Sequence, residues 1–151
     1  MTTLAGTVEL IQGMAFQATS GSGHGVTLDA TPEIGGADRG AGPMELLLLG
    51  LGGCTGMSVL SVLTRLRQDV SGYRIRLHGE QADEHPKVFT RITLDHVFHG
   101  RGLDPERVRR ALELASTRYC PAMAMLGKVA RIEETYRLID AEAGVDVSGV
   151  L

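Results

Sequence analysis

One uncharged stretch decides how this chain folds: residues 46–63, with the sequence LLLLGLGGCTGMSVLSVL. Its 18 residues are enough to cross a membrane as a helix. The flanks favour a helix of a soluble protein, because Pro43 suits the first helical turn and Glu45 lies near the positive end of the helix dipole. We therefore predict a central helix over residues 43–67 that is fully buried, and we keep a membrane span as the less favoured alternative.

Four glycines interrupt the apolar pattern of this helix, at positions 50, 52, 53 and 56. Each glycine costs about 0.8–1 kcal/mol relative to alanine in a helix interior, so another interaction must compensate for them. In one arrangement the helix breaks near Gly52-Gly53 and restarts with Cys54 in its first turn. In the other, an element from this chain or from a second subunit packs directly on the glycine face.

The rest of the chain shows the strand and helix patterns of a single α+β domain. The predicted elements are a β-meander (about 4–30), a glycine-rich loop (31–42), the central helix (43–67), a β-hairpin (73–98), helices (104–126) and a last strand (128–139). The later helices begin where Asp104 can cap a first turn that contains Pro105. The tail, residues 140–151, is expected to be loose.

The composition argues against several classes of partner. The chain has 151 residues, a net charge of -3 and no tryptophan, which makes a nucleic-acid partner unexpected. The N-terminal residues lack the basic and apolar regions of a signal peptide, so we expect a cytoplasmic protein in a reducing compartment. No cofactor or metal is expected, because His96 and His99 point to opposite faces of a strand and are expected to be solvated.

Two cysteines, Cys54 and Cys120, are the chain's only thiols, and both lie in helical contexts. A thiol reacts as its thiolate, and a helix N-terminus lowers the pKa of a nearby thiol. Cys120 directly precedes Pro121 at the start of a short helix, and Cys54 gains the same benefit if the central helix restarts after its glycines. Arg39, in the preceding loop, is the candidate cation beside Cys54. The pattern alone leaves open which thiol attacks first, and it is also compatible with two inert core thiols.

Several short motifs follow one another in a recognisable order: Gly35-Gly36, Gly42-Pro43-Met44-Glu45-Leu46-Leu47-Leu48, Gly52-Gly53-Cys54-Thr55 and Tyr119-Cys120-Pro121. In this order and spacing they resemble the OsmC/Ohr family, and the resemblance extends from the meander to Ile139. It implies an α+β homodimer in which antiparallel sheets pack around two central helices and the active sites form at the subunit interface. Characterised members are cysteine-based peroxidases that reduce organic hydroperoxides.

The resemblance also implies roles for particular residues. Cys54 matches the peroxidatic cysteine, which becomes a sulfenic acid, and Cys120 matches the resolving cysteine, which condenses with it to a disulfide. Family peroxidases place an arginine and a glutamate around the thiol. Arg39 and Glu45 are the candidates, although the residue directly after the helix-starting proline is Met44 here.

The partners that the resemblance implies are an alkyl or lipid-like hydroperoxide and an external dithiol reductant. The alternative is a non-catalytic member of the family that binds a small hydrophobic ligand or acts as a redox sensor. The position of Met44, where family peroxidases carry the acid, motivates this alternative.

Overall fold

Two β-sheets and three helices make this chain an α+β protein. The computed structural model describes residues 1–151, apart from the side chain of Val145. The chain divides into two compact units, residues 1–47 and residues 48–151.

The first unit contains the predicted antiparallel meander. Its strands are β1 (Gly6–Gln12), β2 (Ala15–Ser20) and β3 (Gly25–Leu28). They pair in the order β1-β2-β3, and a short 3-10 turn (Pro32–Ile34) lies in the segment predicted to be a loop. The buried carboxylate of Asp29 organises this segment, because it accepts the backbone N–H groups of Ala30, Ala37 and Arg39.

The predicted central helix is present as α1 (Pro43–Arg65), and it is continuous. Pro43 occupies its first position, where the missing N–H is not needed. The Glu45 carboxylate accepts the Gly42 backbone N–H at 2.7 Å, which is one half of a capping box. These local contacts explain why the helix begins at this point.

Two of the four helix glycines face strand β4 (Asp69–Gln81) of the same chain. A Cβ atom at Gly52 would lie 2.6 Å from Leu77 Cδ1, and one at Gly56 would lie 3.2 Å from Ile75 Cδ1. Direct packing on the glycine face is therefore confirmed for these two positions, and a helix break at Gly52-Gly53 is wrong. The close contact with the strand offsets the low helix propensity of glycine.

The second unit contains a four-stranded sheet with the order β4-β5-β6-β7. The remaining strands are β5 (Phe89–Arg101), β6 (Arg131–Asp140) and β7 (Val145–Val150). β4 and β5 form the predicted hairpin, whereas β5 and β6 run parallel and are the one pair among the described strands that departs from the antiparallel sheets expected. The reason is topological: a helical region connects β5 to β6 and returns the chain to the same end of the sheet.

The expectation of a loose C-terminal tail is also wrong, because β7 pairs antiparallel with β6. Val147 lies opposite Leu138, and the Arg137 guanidinium donates two hydrogen bonds to Asp146. Gly149 lies opposite Tyr136, and a Cβ atom at that glycine would be 2.6 Å from the tyrosine oxygen. A glycine that weakens the strand pattern in the sequence is thus required by a neighbour on another strand.

The predicted helical region consists of three segments: α2 (Pro105–Leu114), a π-helical turn (Ala115–Tyr119) and α3 (Pro121–Leu126). Asp104 caps α2 by accepting the backbone N–H groups of Glu106 and Arg107. Residues of α1, α2 and the sheet form one buried core that includes Val59, Val62, Leu63, Phe98, Val108, Ala111, Leu112 and Leu138.

The side of α1 that faces away from this core is apolar and exposed. Gly50 and Gly53 have open space beside their Cα atoms, and Leu49 and Met57 are 56% and 75% exposed. By length and composition α1 could span a membrane, and 39% of its apolar 18-residue window is buried. Within the single chain, burial of α1 is therefore confirmed for the side that the core covers, and burial of the other side stays a prediction.

Candidate active site

The structure brings the two cysteines together inside the second unit. Cys54 lies in the middle of α1 and is partly buried, whereas Cys120 precedes α3 and is 2% exposed. Both are free thiols, and the two side chains are within hydrogen-bonding reach of each other. The arrangement places one partly accessible thiol next to one buried thiol.

The residue after Cys54 also contacts the second cysteine. Thr55 is fully buried, and its hydroxyl oxygen lies 3.4 Å from Cys120 Sγ. Gly52, one turn earlier on the same side of α1, packs against Leu77 of β4. Since residues three and four apart share a helix face, this contact sets the rotation of α1 that turns Thr55 towards Cys120.

Local backbone geometry positions Cys120. The π-helical turn ends when the Cys120 N–H donates to the carbonyl oxygen of Ala115 at 2.9 Å. Cys120 itself is extended, with φ -87° and ψ 105°, which is the conformation favoured before a proline. Pro121 then starts α3, so the Cys120 side chain takes the place of a capping residue.

Backbone N–H groups in the first turn of α3 reach both sulfur atoms. The Met123 N–H donates to Cys120 Sγ at 3.4 Å, and the Ala122 N–H donates to the sulfur of Cys54. Such donors favour a thiolate over a thiol. The sequence pattern associated each thiol with the start of its own helix, but in the structure one short helix, α3, supplies N–H donors to both sulfur atoms.

The electrostatic balance at Cys54 differs from the prediction. Burial raises the pKa of the Cys54 thiol above its ordinary value, the neighbouring Cys120 thiol adds to the rise, and the Ala122 N–H opposes it. The expected lowering of this pKa is therefore wrong for the reduced protein. Since α1 continues through Cys54, the thiol also lacks the helix N-terminus that the broken-helix arrangement would have given it.

The two supporting residues named from the sequence belong to the first unit. The Arg39 guanidinium donates to Gln12 Oε1 at 3.0 Å, and its backbone N–H binds Asp29. Glu45 is exposed and caps α1 through Gly42. Their action on the reactive thiol stays a prediction.

Sequence reasoning missed a buried polar cluster next to this site. His96, expected to be solvated, is 1% exposed and binds the Tyr73 hydroxyl and the Glu134 carboxylate. Ser116, in the π-helical turn, donates to the same carboxylate. The alternation of β5 places His96 on the inner face with Leu94 and Phe98, and that pattern was the available signal. Among the described residues, no group of three His, Cys, Asp or Glu side chains is arranged to hold a metal ion.

Comparison with known proteins places both cysteines in a matched region. The family model of the OsmC-like protein matches residues 35–135. Protein YhfA of Escherichia coli (strain K12) is 34% identical over 134 residues, which cover 89% of this chain and 97% of YhfA.

Solved structures share the fold. An OsmC-like protein from Mycoplasma pneumoniae gives a TM-score of 0.79 at 20% identity, covering 91% of this chain and 98% of that one. An organic hydroperoxide resistance protein from Elizabethkingia anophelis gives a TM-score of 0.67 at 17% identity, covering 90% and 96%. At these identities the likeness concerns the fold alone.

Proposed function

The chain belongs to the OsmC-like protein family, and on that premise we propose that it is a thiol peroxidase that reduces organic hydroperoxides. The observation that carries the proposal is the contact between the partly buried thiol of Cys54 and the buried thiol of Cys120. Two neighbouring thiols can form a disulfide after one of them is oxidised. Organic hydroperoxide resistance proteins with the same fold support the choice of substrate class.

The reaction has three balanced steps. The Cys54 thiol releases its proton to solvent, and its thiolate attacks the terminal oxygen of the hydroperoxide. The O–O bond breaks, Cys54 becomes a sulfenic acid, and the alkoxide takes a proton from solvent and leaves as the alcohol. The Cys120 sulfur then attacks the Cys54 sulfur, an S–S bond forms, the S–O bond breaks, and the hydroxyl leaves as water with the proton from Cys120. An external dithiol reduces the disulfide by exchange and is itself oxidised. The reducing cytosol, which we propose as the compartment, supplies such dithiols.

The residues around Cys54 favour an apolar substrate. Met57 lies about one turn of α1 after Cys54 and is exposed, and Leu49 and Leu60 of the same helix are exposed as well. A hydroperoxide with an alkyl or lipid-like chain can cover these side chains and exclude water, whereas hydrogen peroxide cannot. We therefore place alkyl and lipid-like hydroperoxides ahead of hydrogen peroxide as substrates.

The same face of α1 supports a homodimer as part of the proposal. A Cβ atom added at Gly50 or at Gly53 would meet no neighbour within 4 Å among the described residues of the chain, yet each glycine lowers helix propensity. A second copy that approaches this face closely would account for both glycines. Gly53→Leu should shift the molecular mass measured by light scattering from dimer to monomer, and Arg110→Leu, on the exposed side of α2, should not.

A single-turnover experiment tests the chemistry. Reduced protein receives one equivalent of cumene hydroperoxide without reductant, followed by peptide mass spectrometry. Wild type should lose two hydrogen atoms as a Cys54–Cys120 disulfide. Cys120→Ser, treated in the same way with dimedone present, should instead give a dimedone adduct at Cys54. If Cys54→Ser consumes the hydroperoxide as quickly as wild type with dithiol present, the proposed mechanism is wrong.

The alternative function is a non-catalytic protein that binds a hydrophobic ligand, and an apolar cavity in the first unit favours it. The cavity has a volume of about 360 Å³ and is lined by Val8, Met14, Phe16, Leu28 and Ile34, among others. Volumes of this size hold small ligands. A lipid-like molecule that co-purifies with wild type and with Cys54→Ser alike, together with oxidation but no turnover, would favour this alternative over the peroxidase.

A further inference from the structure

Four polar side chains form a hydrogen-bonded network across the inner face of the sheet in the second unit. The Tyr73 hydroxyl of β4 lies 2.6 Å from Nδ1 of His96 on β5, and Nε2 of His96 lies 3.1 Å from the Glu134 carboxylate on β6. The Ser116 hydroxyl, in the π-helical turn, donates to the other oxygen of that carboxylate. The peroxidase chemistry proposed above uses none of these groups.

The direction of the hydrogen bonds follows from the acceptor at one end. The Glu134 carboxylate accepts, so Nε2 of His96 carries a hydrogen and donates to it. Burial and the nearby Glu134 charge raise the pKa of Tyr73, so the phenol keeps its proton and can donate to Nδ1 of His96. The carboxylate thus accepts two hydrogen bonds, from His96 and from Ser116, and each of the four side chains in the network has a partner.

The two ends of this hydrogen-bonded network reach the elements that carry the two thiols. At one end, Ser116 is the second residue of the π-helical turn, whose Ala115 carbonyl oxygen accepts the Cys120 N–H. At the other end, the Tyr73 ring stacks on Phe98, with ring centroids 4.2 Å apart. That ring also lies beside α1, since a Cβ atom at Gly56 would be 3.7 Å from Tyr73 Cε1.

The turn before Cys120 needs such an anchor. A π-helical turn inserts an extra residue into a helix, so the position of the residue that follows is not set by regular α-helical hydrogen bonds. The Thr117 hydroxyl bonds to the Glu113 carbonyl oxygen of its own helix. Within the described part of the chain, Ser116 is the one side chain of this turn with a hydrogen bond to the sheet.

We propose that Ser116, Glu134, His96 and Tyr73 are positioning residues that hold the Cys120 sulfur within reach of Cys54 and so set the rate at which the oxidised Cys54 is resolved. The inference rests on the proposed peroxidase function for its kinetic part. It adds a device that acts on the second step, disulfide formation, and leaves the attack of Cys54 on the peroxide unchanged.

The kinetic test compares three variants of the turn in the full chain. Reduced protein is mixed with one equivalent of cumene hydroperoxide, and dimedone competes with Cys120 for the Cys54 sulfenic acid. Ser116→Ala should slow disulfide formation by about tenfold, since it removes one hydrogen bond to a charged acceptor, while sulfenic acid forms at an unchanged rate. The dimedone adduct therefore increases. Ser116→Thr keeps the hydroxyl and should restore the wild-type ratio, and Thr117→Val is the matched control that should leave it unchanged.

An equilibrium test separates this inference from the proposed function. In glutathione buffers, the tendency of Cys54 and Cys120 to form a disulfide measures how well the two sulfurs are positioned, whether or not the protein reduces peroxides. Ser116→Ala should weaken that tendency by about tenfold, or about 30 mV for a two-electron couple. Glu134→Gln, which keeps the shape and removes the charge, should act in the same direction.

The outcomes are distinct. Wild type that never forms a sulfenic acid refutes the peroxidase but leaves the glutathione equilibrium to decide the positioning role. Ser116→Ala that folds as wild type by circular dichroism and shows an unchanged disulfide equilibrium overturns the positioning role. An equal slowing of both kinetic steps also overturns it, because a device that positions Cys120 acts on the second step alone.

Discussion

Replacing Gly52 by alanine tests the contact that orients the central helix, and the structure allows its size to be worked out. The new Cβ atom would lie 2.6 Å from Leu77 Cδ1 and 3.4 Å from Leu77 Cδ2 and Cγ. Ordinary carbon–carbon contact is about 3.5–4.0 Å, so the leucine methyl group must move by about 1 Å. Overpacking of this kind costs about 1–3 kcal/mol, whereas glycine to alanine in a helix interior contributes about 0.8–1 kcal/mol.

The balance predicts that Gly52→Ala destabilises the protein by up to about 2 kcal/mol. In a Leu77→Ala background the obstruction is absent, so the same substitution should stabilise the protein by about 0.8–1 kcal/mol. Urea denaturation of wild type, both single variants and the double variant yields the coupling between the two positions, expected to be about 1–3 kcal/mol. All four proteins are compared at one concentration, because dissociation of a dimer would make the midpoint concentration-dependent.

One outcome of this double-mutant cycle would refute the reasoning. If Gly52→Ala stabilises the protein equally with leucine and with alanine at position 77, the helix does not rest on the strand at this point. The glycine would then need another explanation, such as close approach of a second subunit. A coupling of the expected size, accompanied by slower disulfide formation, would connect the packing of α1 to the meeting of the two thiols.

Further predictions concern single groups. Because burial raises the pKa of Cys54, its alkylation by iodoacetamide should still accelerate with pH above about 8.5, and a midpoint near neutrality would contradict this. Glu45→Ala should lower the free energy of unfolding by about 0.5–1 kcal/mol through loss of the cap on Gly42, and Glu45→Gln should recover most of it in thermal melts. Burial works to raise the pKa of Asp29, but the N–H groups of Arg39 and its neighbours outweigh it and hold that pKa below the ordinary value. The stability that this carboxylate contributes is therefore complete above about pH 3.9 and is lost as the pH falls through the lowered value. At pH 7, Asp29→Asn should exchange the backbone hydrogens of residues 30–39 faster than wild type, and equal exchange would refute the role of the charge.

Local signals in the sequence were sufficient for the elements whose causes are local. Pro43 and Glu45 mark the start of α1, and Asp104 with Pro105 marks the start of α2, because capping and proline geometry act within a few residues. The position of Cys120 before Pro121 likewise indicated a helix start at that cysteine. These features involve neighbours along the chain, so the order of residues alone contains them.

What depended on distant neighbours was decided only by the tertiary structure. The sequence could not separate Gly52, which packs against a leucine of β4, from Gly53, which faces open space, because both are glycines in one uncharged helical stretch and their neighbours lie on other elements. The alternation of β5 indicates an inward position for His96, but the sequence could not identify its hydrogen-bond partners or assign β7 to the sheet, since those partners lie on other strands. The direction of the Cys54 pKa is the sharpest case: desolvation and the Cys120 thiol act through space, and no pattern along the chain encodes them.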